Sequence, residues 1–271
     1  MICYHFIDMF DAHFHTSSIA AEKKAFAEKN SKAVSCGMRG FCCSSSENDW
    51  EAVLQAASEC RGIIPCLGIH PWHAAGFNSD AEARLRQKLI LTGAFIGEAG
   101  LDFLKPHREL QEKAFESQLR LAAELKRPVM LHCVRAWGRL AEMLKACHPP
   151  CFIVHSFGAS CEIMAELAAL GGYFSFGPGL AKVNSKKSRA VFAQLIGNSD
   201  NEGRLKGRFL FESEGGSIFE ALNAAAEIAV NNGRFGGLEE AVREISAMAE
   251  ANARAFLAKA GFMPESGGLR K

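Results

Sequence analysis

Residues 93–133 read GAFIGEAGLDFLKPHRELQEKAFESQLRLAAELKRPVMLHC, and the order of patterns in this stretch decides the fold. The run 93–100 is short and apolar, without the polar alternation of a half-solvated strand. Residues 109–126 then place apolar side chains at helical spacing between charges, and 127–133 return to a short apolar run. Two strands too apolar to face water, joined by a long amphipathic helix, predict a parallel βαβ unit buried on both faces. Each strand run also carries one polar residue at or just before its end, Glu98 in the first and His132 in the second.

Working outward, the same alternation covers the chain. Towards the N-terminus, 62–69 precedes a helical pattern at 80–91, and 31–38 precedes one at 48–60. The first run, 9–15, precedes 19–30. Towards the C-terminus, strand runs at 151–156, 171–177 and 207–214 each precede a helical stretch, and a last helix spans 238–260. Eight β-then-α units in 271 residues predict one domain, a (β/α)8 barrel with irregularity allowed at one strand, rather than an open doubly wound sheet. The polar interruptions fall at strand exits: His13, His15, His70, Glu98, His132, His155, Glu212 and Glu214. In such barrels the C-terminal ends of the strands carry the site.

Near the start, FDAHFHT (10–16) puts Asp11, His13 and His15 two apart, so an ideal strand would project all three to one face. Four or more histidines and several carboxylates at one mouth make a metal site. Imidazole suits zinc, manganese, iron or nickel, and the carboxylates also suit magnesium. The number of ligands exceeds what one tetrahedral ion needs and fits a pair of divalent cations bridged by a carboxylate, which implies hydrolysis.

Bulk properties exclude other classes. A hydrophobic fraction of 48% and a formal net charge of +1 describe a globular protein without the basic coat of a duplex binder. Ten cysteines occur with no C-x-x-C spacing, which speaks for reduced thiols in a cytoplasmic protein and against zinc ribbons or a secreted disulfide framework. No apolar run approaches a membrane span. Residues 1–8 lack the basic and long apolar regions of a secretory leader and read as an N-terminal extension, with Met9 an alternative start. Residues 264–271 read as a solvated, flexible tail.

The motifs D-A-H-F-H, G-I-H-P-W, G-E-A-G-L-D, H-C-V-R-A, H-S-F and E-S-E, in this order and spacing, resemble the TatD family of metal-dependent deoxyribonucleases. The resemblance runs from Phe10 to about Phe256. It includes the helix carrying Gln111, Phe115 and Gln118 and the N-A-R-x-F element at Asn252. It implies that His13 and His15 hold one cation, that His132 and His155 hold the second, and that Glu98 bridges them. Glu214 would ligate metal and act on the attacking water, while His70 and Arg135 would contact substrate. Asp11 and Asp102 would orient other groups. The implied cofactors are two divalent ions, Mg, Mn or Zn, and the implied substrate is DNA, entering as single-stranded ends without an obligate protein partner.

Three positions depart from the family pattern. E-T-D-x-P becomes E-S-E-G-G at 212–216, the arginine after His132 stands three places on instead of two, and H-S-F-G-A replaces H-x-F-x-G at 155–159. A competing reading is an amidohydrolase-type enzyme cleaving a small ester, lactone or amide. Its best-known binuclear form bridges the metals with a modified lysine where Glu98 stands here. A third is a catalytically inactive metal-binding barrel. The cationic runs Lys182, Lys186, Lys187, Arg189 and Lys105, His107, Arg108 read as solvated loop charges. Trp72 and Phe157 either stack a base or roof the barrel.

Overall fold

The computed structural model describes residues 9–16, 38–182, 185–197, 205 and 207–262. The predicted helix 19–30, the extension 1–8 and the tail 264–271 lie outside these residues, as does nearly all of the predicted strand 31–38.

Eight parallel strands close in sequence order: β1 (Asp11–Phe14), β2 (Gly40–Cys43), β3 (Ile63–Leu67), β4 (Phe95–Asp102), β5 (Val129–Val134), β6 (Phe152–Val154), β7 (Gly172–Phe176) and β8 (Phe209–Phe211), with β8 pairing back to β1. The described helices are α1 (Trp50–Glu59), α2 (Ser79–Thr92), α3 (Arg108–Leu125), α4 (Trp137–Cys147), α5 (Cys161–Ala169) and α6 (Lys186–Ile196) between strands, and α7 (Ile218–Asn231) and α8 (Leu238–Lys259) after β8. The expected (β/α)8 barrel is therefore the observed one. The second strand of the described barrel is Gly40–Cys43. It is four residues long and wholly buried, too short for its composition to announce it.

Strand alternation sorts the core into two layers. Ala12, Phe41, Cys43, Ile64, Cys66, Phe95, Met130, Ile153, Tyr173 and Leu210, at least one from every strand, form one cluster with Ala253, Phe256 and Leu257 of α8. A set drawn from all eight strands of a closed barrel fills its interior, and α8 stops one end. Their neighbours in sequence, among them Cys42, Ile63, Ile96, Leu131, Phe152, Phe174 and Phe209, pack with the helices in the larger outer cluster. Asn252 ties the stopper to the sheet, its Nδ2 donating to the Phe209 carbonyl at 2.9 Å.

The glycines of G-E-A-G answer to a close approach between β4 and β5. A Cβ at Gly97 (φ 153°) would stand 2.6 Å from Met130 Cβ, and one at Gly100 (φ 148°) 1.9 Å from the His132 carbonyl oxygen. Only glycine fits either place. The β4–β5 register also shifts between Ile96 and Ala99, the segment that carries Glu98. Irregularities of this kind re-aim a side chain at a barrel rim.

Candidate metal centre

Glu98 is 3% exposed and sits between two sets of imidazoles. Its Oε2 lies 3.4 Å from His13 Nε2 and 3.6 Å from His15 Nε2. Its Oε1 lies 2.8 Å from His155 Nε2, 2.9 Å from His132 Nδ1 and 3.4 Å from His70 Nε2. One carboxylate thus offers each of its oxygens to a different group of histidines. Glu214 Oε2 joins the first side, 3.2 Å from His13 Nε2. Four overlapping groups of ligand atoms fall within 4.8 Å: His13–Glu98–His155, His13–His15–Glu214, His70–Glu98–His132 and His155–Glu212–Glu214.

Local structure explains the convergence. His13 lies in β1, where the register against β2 shifts between Asp11 and Phe14. That shift ends the ideal alternation. Asp11 does not join the histidines: its Oδ1 accepts from the backbone N–H groups of His13 and Ser213 and clips β1 to the turn after β8. Burial pushes its carboxyl up to about 7, against those hydrogen bonds. His70 caps the 3-10 turn Pro71–Gly76, and its Nδ1 accepts from Trp72 N at 3.2 Å. The cap turns Nε2 towards Glu98, so His70 stands within a candidate ligand group. Arg135 follows β5 with φ 55°, exposed and outside the four groups.

The residues present fit divalent cations. His15 Nδ1 stands 2.9 Å from the Cys43 carbonyl, so it carries the proton and leaves the Nε2 lone pair for the cluster. Imidazole nitrogens face each other at 3.3 Å (His13–His15) and 3.0 Å (His132–His155). The buried atoms His13 Nδ1, His132 Nε2 and His155 Nδ1 have no hydrogen-bond partner. Burial alone would raise the Glu98 carboxyl, but His155 and His13 hold it well below the usual carboxylate range. Burial likewise lowers His155, yet Glu98 and Glu212 lift it well above an ordinary histidine. A buried carboxylate that stays ionised requires positive charge around it, and imidazolium or a metal ion meets that requirement.

Several residues support the cluster through contacts that join distant parts of the sequence. Glu212, fully buried, accepts from Ser156 N at 2.9 Å, from Ser156 Oγ at 2.5 Å and from Ser175 Oγ. Its Oε1 is 3.9 Å from His155 Nδ1. Ser44 accepts the Gly68 N–H at 2.8 Å while its own carbonyl receives the Glu98 N–H at 2.8 Å. The two glutamines of α3 close the strand exits: Gln118 bonds both backbone groups of Ile69, and Gln111 both those of Asp102. Asp102 accepts the Trp72 indole N–H at 2.7 Å. These contacts span 9 to 56 residues of sequence.

A parallel (β/α)8 barrel with a histidine–carboxylate cluster at its C-terminal mouth is the class that fold and site define. The family described as TatD related DNase matches residues 10–199, and the chain belongs to that family. It is 32% identical over 170 residues to a 3'-5' ssDNA/RNA exonuclease TatD of Yersinia pseudotuberculosis, covering 60% of this chain and 65% of that protein. To the Pantoea ananatis protein of the same name it is 39% identical over 110 residues, 38% of this chain and 42% of the relative. The chain therefore matches less than two thirds of the length of these relatives. Among solved structures, YJJV, a TatD homolog from Escherichia coli, superposes with a TM-score of 0.71 at 22% identity, covering 94% of this chain and 98% of that one. A TatD family hydrolase from Entamoeba histolytica gives 0.66 at 14%, with 92% and 97% covered. These two support the fold.

Proposed function

We propose that the protein is a metal-dependent phosphodiesterase that cleaves DNA, taking single-stranded ends at the barrel mouth. The observation that carries the reading is Glu98, one buried carboxylate with Oε2 turned to His13 and His15 and Oε1 turned to His132, His155 and His70. In this reading His13, His15 and Glu214 would hold one ion, His132 and His155 the other, and Glu98 would contribute to both. Two divalent cations there, Mg, Mn or Zn, would supply Lewis acidity to the phosphate oxygens and bring a shared water towards neutral pKa.

The chain's own groups do the rest. Glu214 Oε2, 3.2 Å from His13 Nε2 and 3.7 Å from His155 Nδ1, orients the attacking water and takes its proton. Glu98 would keep its charge through the reaction because the cations on either side of it favour its ionised form. His70 has one face on the cluster and one on the open rim at Trp72, where it meets the phosphate beside the metals. Arg135, exposed after β5, neutralises a further phosphate oxygen.

Cys42, Cys43, Cys66, Cys133 and Cys151 are buried free thiols, which supports a cytoplasmic location. No helix among the described residues is long and apolar enough to cross a membrane. The test is an end-labelled single strand beside a panel of small esters, lactones and phosphotriesters. Each is assayed after exhaustive chelation and after return of Mn, Mg or Zn. Metal-restored cleavage of the strand is expected. Cleavage of the small esters alone would replace this reading with the amidohydrolase one, and full activity in metal-free protein would remove the metal mechanism.

A further inference from the structure

We infer that Trp72 is a stacking platform for the nucleobase next to the phosphate at the metal centre, with Lys105 as its cationic partner. The inference rests on the phosphodiesterase reading above and names how that site would hold its substrate.

Trp72 and Phe157 both stand at strand exits, and the structure separates their roles. Phe157 is 1% exposed and packs edge-on between Trp137 and Phe174, so it roofs the core. Trp72 is 58% exposed, an uncommon place to leave the largest apolar side chain. It is nonetheless held in place. Its indole N–H donates to Asp102 Oδ2 at 2.7 Å, and Asp102 is itself 3% exposed. Its ring meets His70 edge-on, centroids 4.9 Å apart. Lys105 Nζ lies 4.8 Å from its centroid. The indole has therefore spent its only polar group on a buried carboxylate and presents π surface in a fixed orientation.

Position gives the platform its ligand. His70 bridges Trp72 to the metal centre, its Nε2 3.4 Å from Glu98 Oε1, so one imidazole separates the exposed ring from the cluster. A nucleotide whose phosphate reaches that cluster carries its base at about this remove. Stacking tolerates any base, because every base has a π face. Lys105 also lines an open cleft of about 800 Å³ with Leu104, His107 and Arg108, a surface suited to the backbone of the strand leaving the mouth.

The experiment compares two end-labelled single strands, one unmodified and one whose terminal nucleotides at both ends are abasic, in the metal-loaded enzyme. Trp72→Ala should raise KM for the unmodified strand about tenfold, within the range of base–aromatic stacking, and leave kcat near wild type. On the abasic strand wild type and Trp72→Ala should agree. Trp72→Phe, which drops the Asp102 bond but keeps a ring, should retain most of the affinity. Circular dichroism and thermal melting would verify that each variant folds. Lys105→Ala should flatten the salt dependence of KM by about 0.7 in log–log slope, the value for one phosphate contact on a single strand.

Equal KM for Trp72→Ala and wild type on the unmodified strand overturns the inference. So does an equal loss on both strands, which would assign Trp72 to holding Asp102. A wild-type enzyme that cleaves neither strand brings down the phosphodiesterase reading and this inference with it, and that outcome is visible before any variant is made.

Discussion

The two carboxylates that face His13 are built in opposite ways. Glu98 lies inside the eight-residue β4, 3% exposed, between glycines that no other residue can replace, with its N–H held by the Ser44 carbonyl. Glu214 lies three residues past the three-residue β8, its side chain 39% exposed, at φ 42°, followed by Gly215 and Gly216. One is fixed by the sheet and the other is carried on a turn. Preorganised charge is most effective where it need not move during reaction, while a group that handles water and its proton needs solvent access. The contrast fits the proposed division, in which the fourth strand would supply charge and geometry and the eighth would handle the proton.

The largest expected effect breaks the rigid half. In the proposed two-metal site, Glu98→Gln would remove the negative charge between the two cations while keeping shape. Several kcal/mol of charge stabilisation are at stake, and at about 1.4 kcal/mol per tenfold that amounts to about a thousandfold in kcat/KM. Metal content measured after gel filtration should fall with it. His70→Ala, which leaves that charge in place, should cost less. A Glu98→Gln enzyme that retains both metals and near-native turnover would dissolve the distinction between the two carboxylates.

The rigid half was also the part most legible in the sequence. His13, Glu98, His132 and His155 interrupt apolar strands, and burial makes each interruption conspicuous. Where strands are short or irregular, legibility fails. The GFCC strand at 40–43 went unread, and the register shift in β1 took Asp11 out of a row that ideal alternation would have kept. The family resemblance places His70 beside substrate. A three-residue cap that turns its ring back towards Glu98 cannot be seen in G-I-H-P-W. The bond from Trp72 to Asp102 links positions 30 residues apart, and no local pattern signals it.

The next effect concerns the exposed half. Glu214→Gln keeps the size of the side chain and removes its basicity, so kcat should fall about 10²- to 10⁴-fold with KM changed far less. Glu212, two residues earlier, is its control. It is fully buried and its oxygens are taken by Ser156 and Ser175. Glu212→Gln should therefore appear first as a lowered melting temperature, because one of its two buried acceptor oxygens becomes an NH2 donor facing a group that now donates to it. A folded, inactive Glu212→Gln beside a fully active Glu214→Gln would exchange the two roles.

Glu214→Asp sharpens the comparison, since it withdraws the carboxylate by one methylene, about 1.5 Å, from an oxygen now 3.2 Å from His13 Nε2. A displacement of that order on a rigid element costs about a hundredfold. On this turn the backbone can follow, so the loss in kcat should be smaller than that. A loss as deep as that of Glu214→Gln would show that the turn is as fixed as β4.

The smallest effect tests whether the turn's freedom resides in Gly215. A Cβ at Gly215 would meet nothing within 4 Å, so Gly215→Ala introduces no clash, and any consequence is conformational. The residue sits at φ 77°, where an L side chain costs about 1–2 kcal/mol. The melting temperature should drop by about 2–4 °C for each kcal/mol. Gly216→Ala is the contrasting case, because its Cβ would lie 2.8 Å from Pro178 Cγ and would displace that turn. In the wild-type background Gly215→Ala should barely alter turnover, since Glu214 already reaches His13. Combined with Glu214→Asp it should cost more than the sum of the two single changes, because the shorter carboxylate depends on a backbone shift that alanine opposes. Strict additivity in kcat would place the compensation elsewhere, in movement of β8 itself.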